Sequence, residues 1–166
     1  MIKIFSCNDS RGVRPIWTAE EMGLEYNLEM LPFPPRYFKK EFLNTNILGT
    51  VPYLEDGKVQ MTESVAMCQY LVEKYGPTKL KVEPNEADYA SYLNWLFHSE
   101  ATLTFPQTVY LRYTFQETGV ADKAAEGYRR WFIARLKLLE KSLNKQEFLC
   151  CNRCLLYTSP SPRDEL

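Results

Sequence analysis

Gly49-Thr50-Val51-Pro52-Tyr53-Leu54-Glu55-Asp56-Gly57-Lys58-Val59-Gln60-Met61-Thr62-Glu63-Ser64 is the stretch whose reading decides the fold. Tyr53 and Leu54 read as the end of one short strand, and Lys58 to Met61 as another. Asp56-Gly57 between them is a hairpin signal, because a type I′ turn needs positive φ and glycine supplies it at little steric cost. Pro52 has no N–H and cannot pair in mid-sheet, so it is a candidate for a cis bond in a tight turn. The Val51 backbone is then left to pair with something other than a strand.

A helix follows from Glu63 to Tyr75, with Val65, Cys68, Leu71, Val72 and Tyr75 as its apolar stripe. Its start carries Thr62, Glu63 and Ser64: two hydroxyls able to cap, and an acid favoured by the positive end of the helix dipole. Two readings of this triplet stand side by side. In one it simply starts a helix. In the other, helix N–H groups and the Ser64 hydroxyl hold a carboxylate while Glu63 holds an ammonium group. That second arrangement grips the head of an α-amino acid, with Val51 pairing to the peptide behind it.

The run Leu48-Gly-Thr-Val-Pro-Tyr-Leu-Glu-Asp-Gly, followed by Glu63-Ser64-Val-Ala-Met-Cys-Gln-Tyr-Leu, resembles the glutathione-binding half of the glutathione S-transferase family. A Val-Pro and a Glu-Ser pair at this separation, with an acidic-Gly hairpin between them, is more specific than either pair alone. The resemblance implies a cis Val51–Pro52 bond, a Val51 backbone paired to the cysteinyl part of glutathione, and Glu63-Ser64 on the γ-glutamyl head. The glutathione-binding set it implies is Ser10, Arg11, Thr50, Val51, Pro52, Glu63 and Ser64.

The rest of the chain fits around this stretch. Ile2 to Phe5 reads as a strand, Val13 to Gly23 as a helix with Pro15 in its first turn, and Tyr26 to Met30 as a second strand. A β-α-β order implies parallel strands joined by a right-handed crossover. Pro32, Pro34 and Pro35 forbid regular structure over 31–36, and Tyr37 to Leu43 reads as a short helix. Residues 1–76 are thus β-α-β-α-β-β-α, an α/β unit that resembles the thioredoxin-like first domain of the family. A linker over 77–85 leads to an incomplete all-α domain over 86–149.

In that second domain Leu93, Leu96, Phe97 and Ala101 set one face of a long helix, with Trp95 on another and a kink expected near Thr104 or Phe105 before Pro106. A further helix after Gly119 carries Tyr128, Phe132, Leu136, Leu139 and Leu143. Family members run on from this point. Here the chain continues as Cys150-Cys-Asn-Arg-Cys-Leu-Leu-Tyr-Thr-Ser-Pro-Ser-Pro-Arg-Asp-Glu-Leu166, without helical or strand period. It reads as a non-native, disordered tail on a truncated frame, its final Arg-Asp-Glu-Leu a chance match to a retention signal.

Composition bounds the partners. The 166 residues are 45% hydrophobic, enough for a packed core, and 20 basic against 21 acidic side chains leave a net charge of −1. There is no basic run of nucleic-acid type, no apolar run of membrane-spanning length and no signal-peptide core, so a cytoplasmic protein is the default. Five cysteines and one histidine make neither a disulfide framework nor a zinc set, so no metal is expected.

A glutathione transferase must present a thiolate. Lowering a thiol pKa of about 8.5 by roughly two units stabilises the anion by about 2.7 kcal/mol. The loop over 6–12 stands where a donor is needed and offers Ser6, Cys7, Asn8, Asp9 and Ser10. Ser10 is the first candidate, because Ser10-Arg11 before the helix resembles the Ser-Arg of bacterial-type members; its alternative role is an N-cap. Counting back from Gly23 puts the family's catalytic position on Asp9, whose carboxylate would repel a thiolate, and this brings in Asn8 and Cys7. Cys7 is either a small buried residue or the exposed group of a glutathione-dependent thiol oxidoreductase. Arg11, Lys39 and Lys40 are candidates for the glycine carboxylate, or solvated charge.

Trp95, Phe105, Tyr110 and Tyr113 are candidates for an apolar electrophile site, or core aromatics. The leading function is conjugation of glutathione to a hydrophobic electrophile. The rivals are the Cys7 oxidoreductase and a GST-like interaction module that catalyses nothing. A homodimer is expected from the resemblance.

Overall fold

In the computed structural model, which describes residues 1–156, the chain divides after Lys81 into two units, Met1–Lys81 and residues 82–156. The first contains β1 (Ile2–Ser6), α1 (Val13–Glu21), β2 (Tyr26–Met30), α2 (Pro35–Phe38), a 3-10 turn (Lys40–Asn44), β3 (Tyr53–Asp56), β4 (Val59–Met61) and α3 (Ser64–Tyr75). Its sheet runs β2-β1-β3-β4. β1 is parallel to β2, which requires the α1 crossover, and β3 is antiparallel to both β1 and β4. Gly57 closes the β3–β4 hairpin at φ +63°, the left-handed value that the Asp-Gly pair predicts.

Alternation along β1 and β3 divides the core into two layers. Ile2, Ile4 and Leu54 join Ala19, Met67 and Leu71 on the face covered by α1 and α3. Phe5 and Tyr53, out of phase with them, join Cys7, Leu31 and Phe42 on the other face. Ring centroids of Phe5 lie 5.3 Å from Phe42 and 5.8 Å from Tyr53.

Three local expectations are corrected. Pro35 does not forbid structure but opens α2, at the first helical position, where a missing N–H removes no intrahelical bond. Lys39, at φ −143° and ψ 74°, then separates α2 from the 3-10 turn, so no single helix spans 37–43. On α3 the buried residues are Ser64, Met67, Cys68, Leu71 and Val72, while Val65 and Tyr75 are half-buried. The stripe is rotated toward Met67 because the sheet face, and not hydrophobicity alone, sets which side turns inward.

The second unit has α4 (Tyr89–Phe97), a π-helical segment (His98–Thr104), α5 (Phe105–Leu111), a second π-helical segment (Arg112–Gln116) and α6 (Asp122–Leu143). The helical path widens just before Pro106, whose ring excludes the carbonyl one turn back. The Thr104 hydroxyl donates to the Ser99 carbonyl at 2.9 Å there. α4 buries Tyr92, Trp95 and Leu96, whereas Phe97 and Ala101 are exposed, so the face expected from Leu93, Leu96, Phe97 and Ala101 is displaced by about one residue. On α6, Tyr128, Phe132 and Leu139 are half-buried, and Leu136 and Leu143 are exposed.

Residues 150–156, set aside as part of a tail by the sequence reading, are packed. Cys150, Leu155 and Leu156 are buried, and the Arg153 guanidinium grips both Glu86 carboxylate oxygens at 3.0 Å. The remainder of that stretch, 157–166, lies outside the described residues.

Candidate functional site

The strand registers bring three separate segments to one end of the sheet. Phe5 pairs with Tyr53, so two residues further on Cys7 and Val51 leave the sheet together. Leu54 pairs with Met61, and from that end of β4 the chain enters α3 at Ser64. Val51 packs on the Cys7 cluster, and the Val51–Pro52 bond is cis.

The approach to Val51 is held by Asn46, which is buried. Its amide donates to the Thr50 carbonyl at 2.9 Å, and its carbonyl accepts from the Leu48 N–H at 3.1 Å. Gly49 turns this loop at φ +56°, where a Cβ would stand 2.6 Å from the Arg36 Cβ. Thr50 itself is exposed.

In the loop after β1, Ser10 Oγ donates to the Cys7 carbonyl at 2.8 Å and accepts from the Gly12 N–H at 3.2 Å. It also lies 3.3 Å from Ser6 Oγ. These bonds close the loop ahead of α1, whose cap residue is Gly12. Asn8, Asp9 and Arg11 are exposed, and Asp9 sits in the left-handed region at φ 53°. Cys7 is buried, and burial pushes its thiol pKa up. Lys39 pairs with Glu29 at 3.2 Å, while Lys40 is exposed.

At the start of α3, Glu63 is exposed in extended conformation and makes no side-chain bond to the helix end. The Met67 N–H bonds the Glu63 carbonyl at 2.9 Å. The N–H groups of Ser64, Val65 and Ala66 precede the first intrahelical bond and point out of the helix end. Ser64 is only 5% exposed, and its Oγ accepts a hydrogen bond from Arg14 Nη1 at 3.1 Å.

Arg14 is a residue the sequence reading missed. It lies in the first turn of α1, fifty positions from Ser64, and nothing in its local sequence marks it. One turn further along both helices stand Thr18 and Cys68, both buried. Thr18 Oγ1 donates to the Arg14 carbonyl at 2.9 Å, and burial pushes the Cys68 thiol pKa up to about 11.

The aromatic candidates belong to the second unit. Trp95 is buried edge-on to His98 at 5.3 Å. Phe105 is half exposed and edge-on to Tyr128 at 5.8 Å. Tyr110 and Tyr113 are half-buried. Among the described residues no group of His, Cys, Asp and Glu could hold a metal ion, and no helix is long and apolar enough to cross a membrane.

A mixed four-stranded sheet with this β-α-β and β-β-α order, a cis proline ahead of β3 and a helical unit after it defines a thioredoxin-like domain joined to a helical domain. Residues 5–79 match the family model for the glutathione S-transferase N-terminal domain. Through that domain the chain belongs to the glutathione S-transferase family.

Glutathione S-transferase 3 of Schizosaccharomyces pombe is 32% identical over 108 residues, covering 62% of this chain and 43% of that protein. Glutathione S-transferase D7 of Drosophila melanogaster is 30% identical over 118 residues, 70% of this chain and 52% of its own length. The chain therefore spans about half the length of the curated relatives it matches. The crystal structure of glutathione transferase URE2P6 from Phanerochaete chrysosporium, in complex with oxidized glutathione, superposes with a TM-score of 0.85 at 26% identity, covering 99% of this chain and 78% of that one.

Proposed function

We propose that the first unit binds glutathione where the Val51–Pro52 bond, the loop after β1 and the start of α3 meet, and that the protein directs its thiol at a hydrophobic electrophile. The observation that carries this reading is the buried Ser64 hydroxyl at an uncapped helix start. Helix N–H groups and dipole favour a carboxylate there, Glu63 is placed for the ammonium group, and the Val51 backbone for the cysteinyl peptide. Arg11 stands for the glycine carboxylate. Relatives named glutathione S-transferases, and a neighbour crystallised with oxidized glutathione, support the same ligand. The dimer and the cytoplasmic setting belong to this proposal.

Calorimetric titration with glutathione tests it. Binding in the micromolar-to-millimolar range, weakened about tenfold or more by Ser64→Ala, is expected from loss of a hydrogen bond to a charged group. A folded chain that binds no glutathione sinks the proposal.

One observation favours a second reading, a module that binds glutathione without activating it. The Ser10 proton is committed to the Cys7 carbonyl and is not available to a thiolate in this arrangement. Thiolate absorbance of bound glutathione against pH separates the two. An enzyme lowers the thiol pKa below its ordinary value near 8.5, and a module leaves it there. The thiol-transfer alternative is disfavoured, because a buried Cys7 with a raised pKa is a poor nucleophile.

A further inference from the structure

We propose that Arg14 is a positioning residue for the ligand's head-group carboxylate, acting through Ser64: it occupies one lone pair of the Ser64 hydroxyl and so commits that hydroxyl's proton to the anion. The inference rests on the reading of the α3 start as the γ-glutamyl site, and it adds the residue that sets the site's polarity.

A serine hydroxyl has one proton and two lone pairs, and by itself it serves an ammonium group as readily as a carboxylate. Arginine can only donate. The 3.1 Å bond from Arg14 Nη1 to Ser64 Oγ therefore uses a lone pair, and the Ser64 proton must point elsewhere. Ser64 is buried at the first position of α3, beside N–H groups that also only donate. The Ser64 hydroxyl and the first N–H groups of α3 then both present hydrogen, and the ligand group that matches them is an anion.

The guanidinium is held for this task. Its backbone lies in α1, and its carbonyl is bonded by the fully buried Thr18. The Arg14–Ser64 bond ties the first turn of α1 to the first residue of α3, and Thr18 and Cys68 lie one turn further along the two helices. The charge of Arg14 is felt along this seam. It pulls the Cys68 thiol downward against the larger upward push of burial. A solvated arginine on a helix surface would do neither.

A simple bolt between α1 and α3 would be blind to the ligand's head group, and this separates the two roles. The experiment titrates wild type, Arg14→Gln and Arg14→Lys with glutathione and with 4-aminobutyryl-cysteinyl-glycine, the same peptide without the head carboxylate. Thermal melting monitors each fold. Arg14→Gln is expected to weaken glutathione about tenfold, the scale of one charge-assisted contact, and to leave the analogue within about twofold of wild type. Arg14→Lys keeps a donor and a charge, and is expected to recover most of the glutathione affinity without touching the analogue. Should Arg14→Gln not fold, the lysine variant carries the test, with a selective loss of about threefold. Equal weakening of both ligands, or of neither, overturns the inference while the Ser64→Ala result still stands for the site. Absence of glutathione binding by wild type overturns both.

Discussion

Asp56 Oδ2 accepts a 2.6 Å hydrogen bond from Lys74 Nζ, which ties the last residue of β3 to the final turn of α3. The Tyr70 hydroxyl donates to the same oxygen at 2.8 Å, the Tyr75 hydroxyl donates as well, and the Met1 amino group lies 3.8 Å from Oδ1. With Asp56 buried, these contacts set the direction in which α3 leaves the sheet, and with it the position of Ser64 at the opposite end.

Lys74 first, and Tyr75 after it, hold the Asp56 carboxyl far below the usual carboxylate range. The unfolded chain regains a value of about 3.9, so below that pH it binds a proton that the folded chain refuses. The stabilisation is therefore complete above about pH 5 and lost progressively as the solution is acidified below about pH 4. Asp56→Asn is expected to cost about 2 kcal/mol near neutrality and to flatten the acid limb of stability against pH. Urea unfolding at a series of pH values checks both; a mutant slope equal to the wild-type slope would count against the network.

Thiol reactivity follows burial. Cys7 and Cys68 are buried with raised pKa values, and Cys151 is pushed up to about 12, by burial first and then by Cys150. Cys154 is exposed. At pH 8 a raised pKa means a small thiolate fraction, so iodoacetamide should modify Cys154 first and reach Cys7 and Cys68 only on unfolding. Mass mapping of timed samples reads the order. Fast labelling of Cys7 would revive the thiol-transfer reading.

The loop over 46–50 is expected to control ligand binding without touching the ligand's head. Gly49→Ala meets both the left-handed backbone and the Arg36 Cβ, a loss of about 2 kcal/mol. Asn46→Ala leaves the Leu48 N–H and the Thr50 carbonyl without their partner, at about 1–3 kcal/mol. Melting curves measure the stability loss. Titration with glutathione should show both variants weakened through Val51, and undiminished affinity would separate this loop from the site.

Helix α6 exposes Trp131, Ile133, Leu136, Leu138 and Leu143, each by more than a third. Exposed apolar side chains gathered along one helix favour association. Sedimentation should show mass rising with concentration, and Ile133→Glu with Leu138→Glu should shift the equilibrium toward the smaller species without lowering the melting point. A concentration-independent monomer would refute this.

Much of the first unit was legible because its signals are local. Asp56-Gly57 encodes a turn through backbone φ, period-two and period-3.6 patterns mark β1, α1 and β2, and Val51-Pro52 with Glu63-Ser64 falls at a spacing that a hairpin fixes. Where a helix must choose its buried side the sequence is silent. α3 turns Met67 and not Val65 to the sheet, and α4 buries Tyr92 while Phe97 is exposed, because the partner surface selects among apolar residues of similar hydrophobicity. Residues 150–156 have no period, yet Leu155 is fully buried, since packing does not require regular structure.

What the sequence by itself determined was the order of the elements and the two motifs that frame the candidate site. Only the tertiary structure decided which groups complete them: Arg14 on Ser64, Lys74 and Tyr75 on Asp56, and the Cys7 carbonyl on the Ser10 proton. The reason is physical. Turns and helix starts are set by dihedral preferences within a few residues, whereas a hydrogen bond spanning fifty positions exists only once two packed helices have fixed their register.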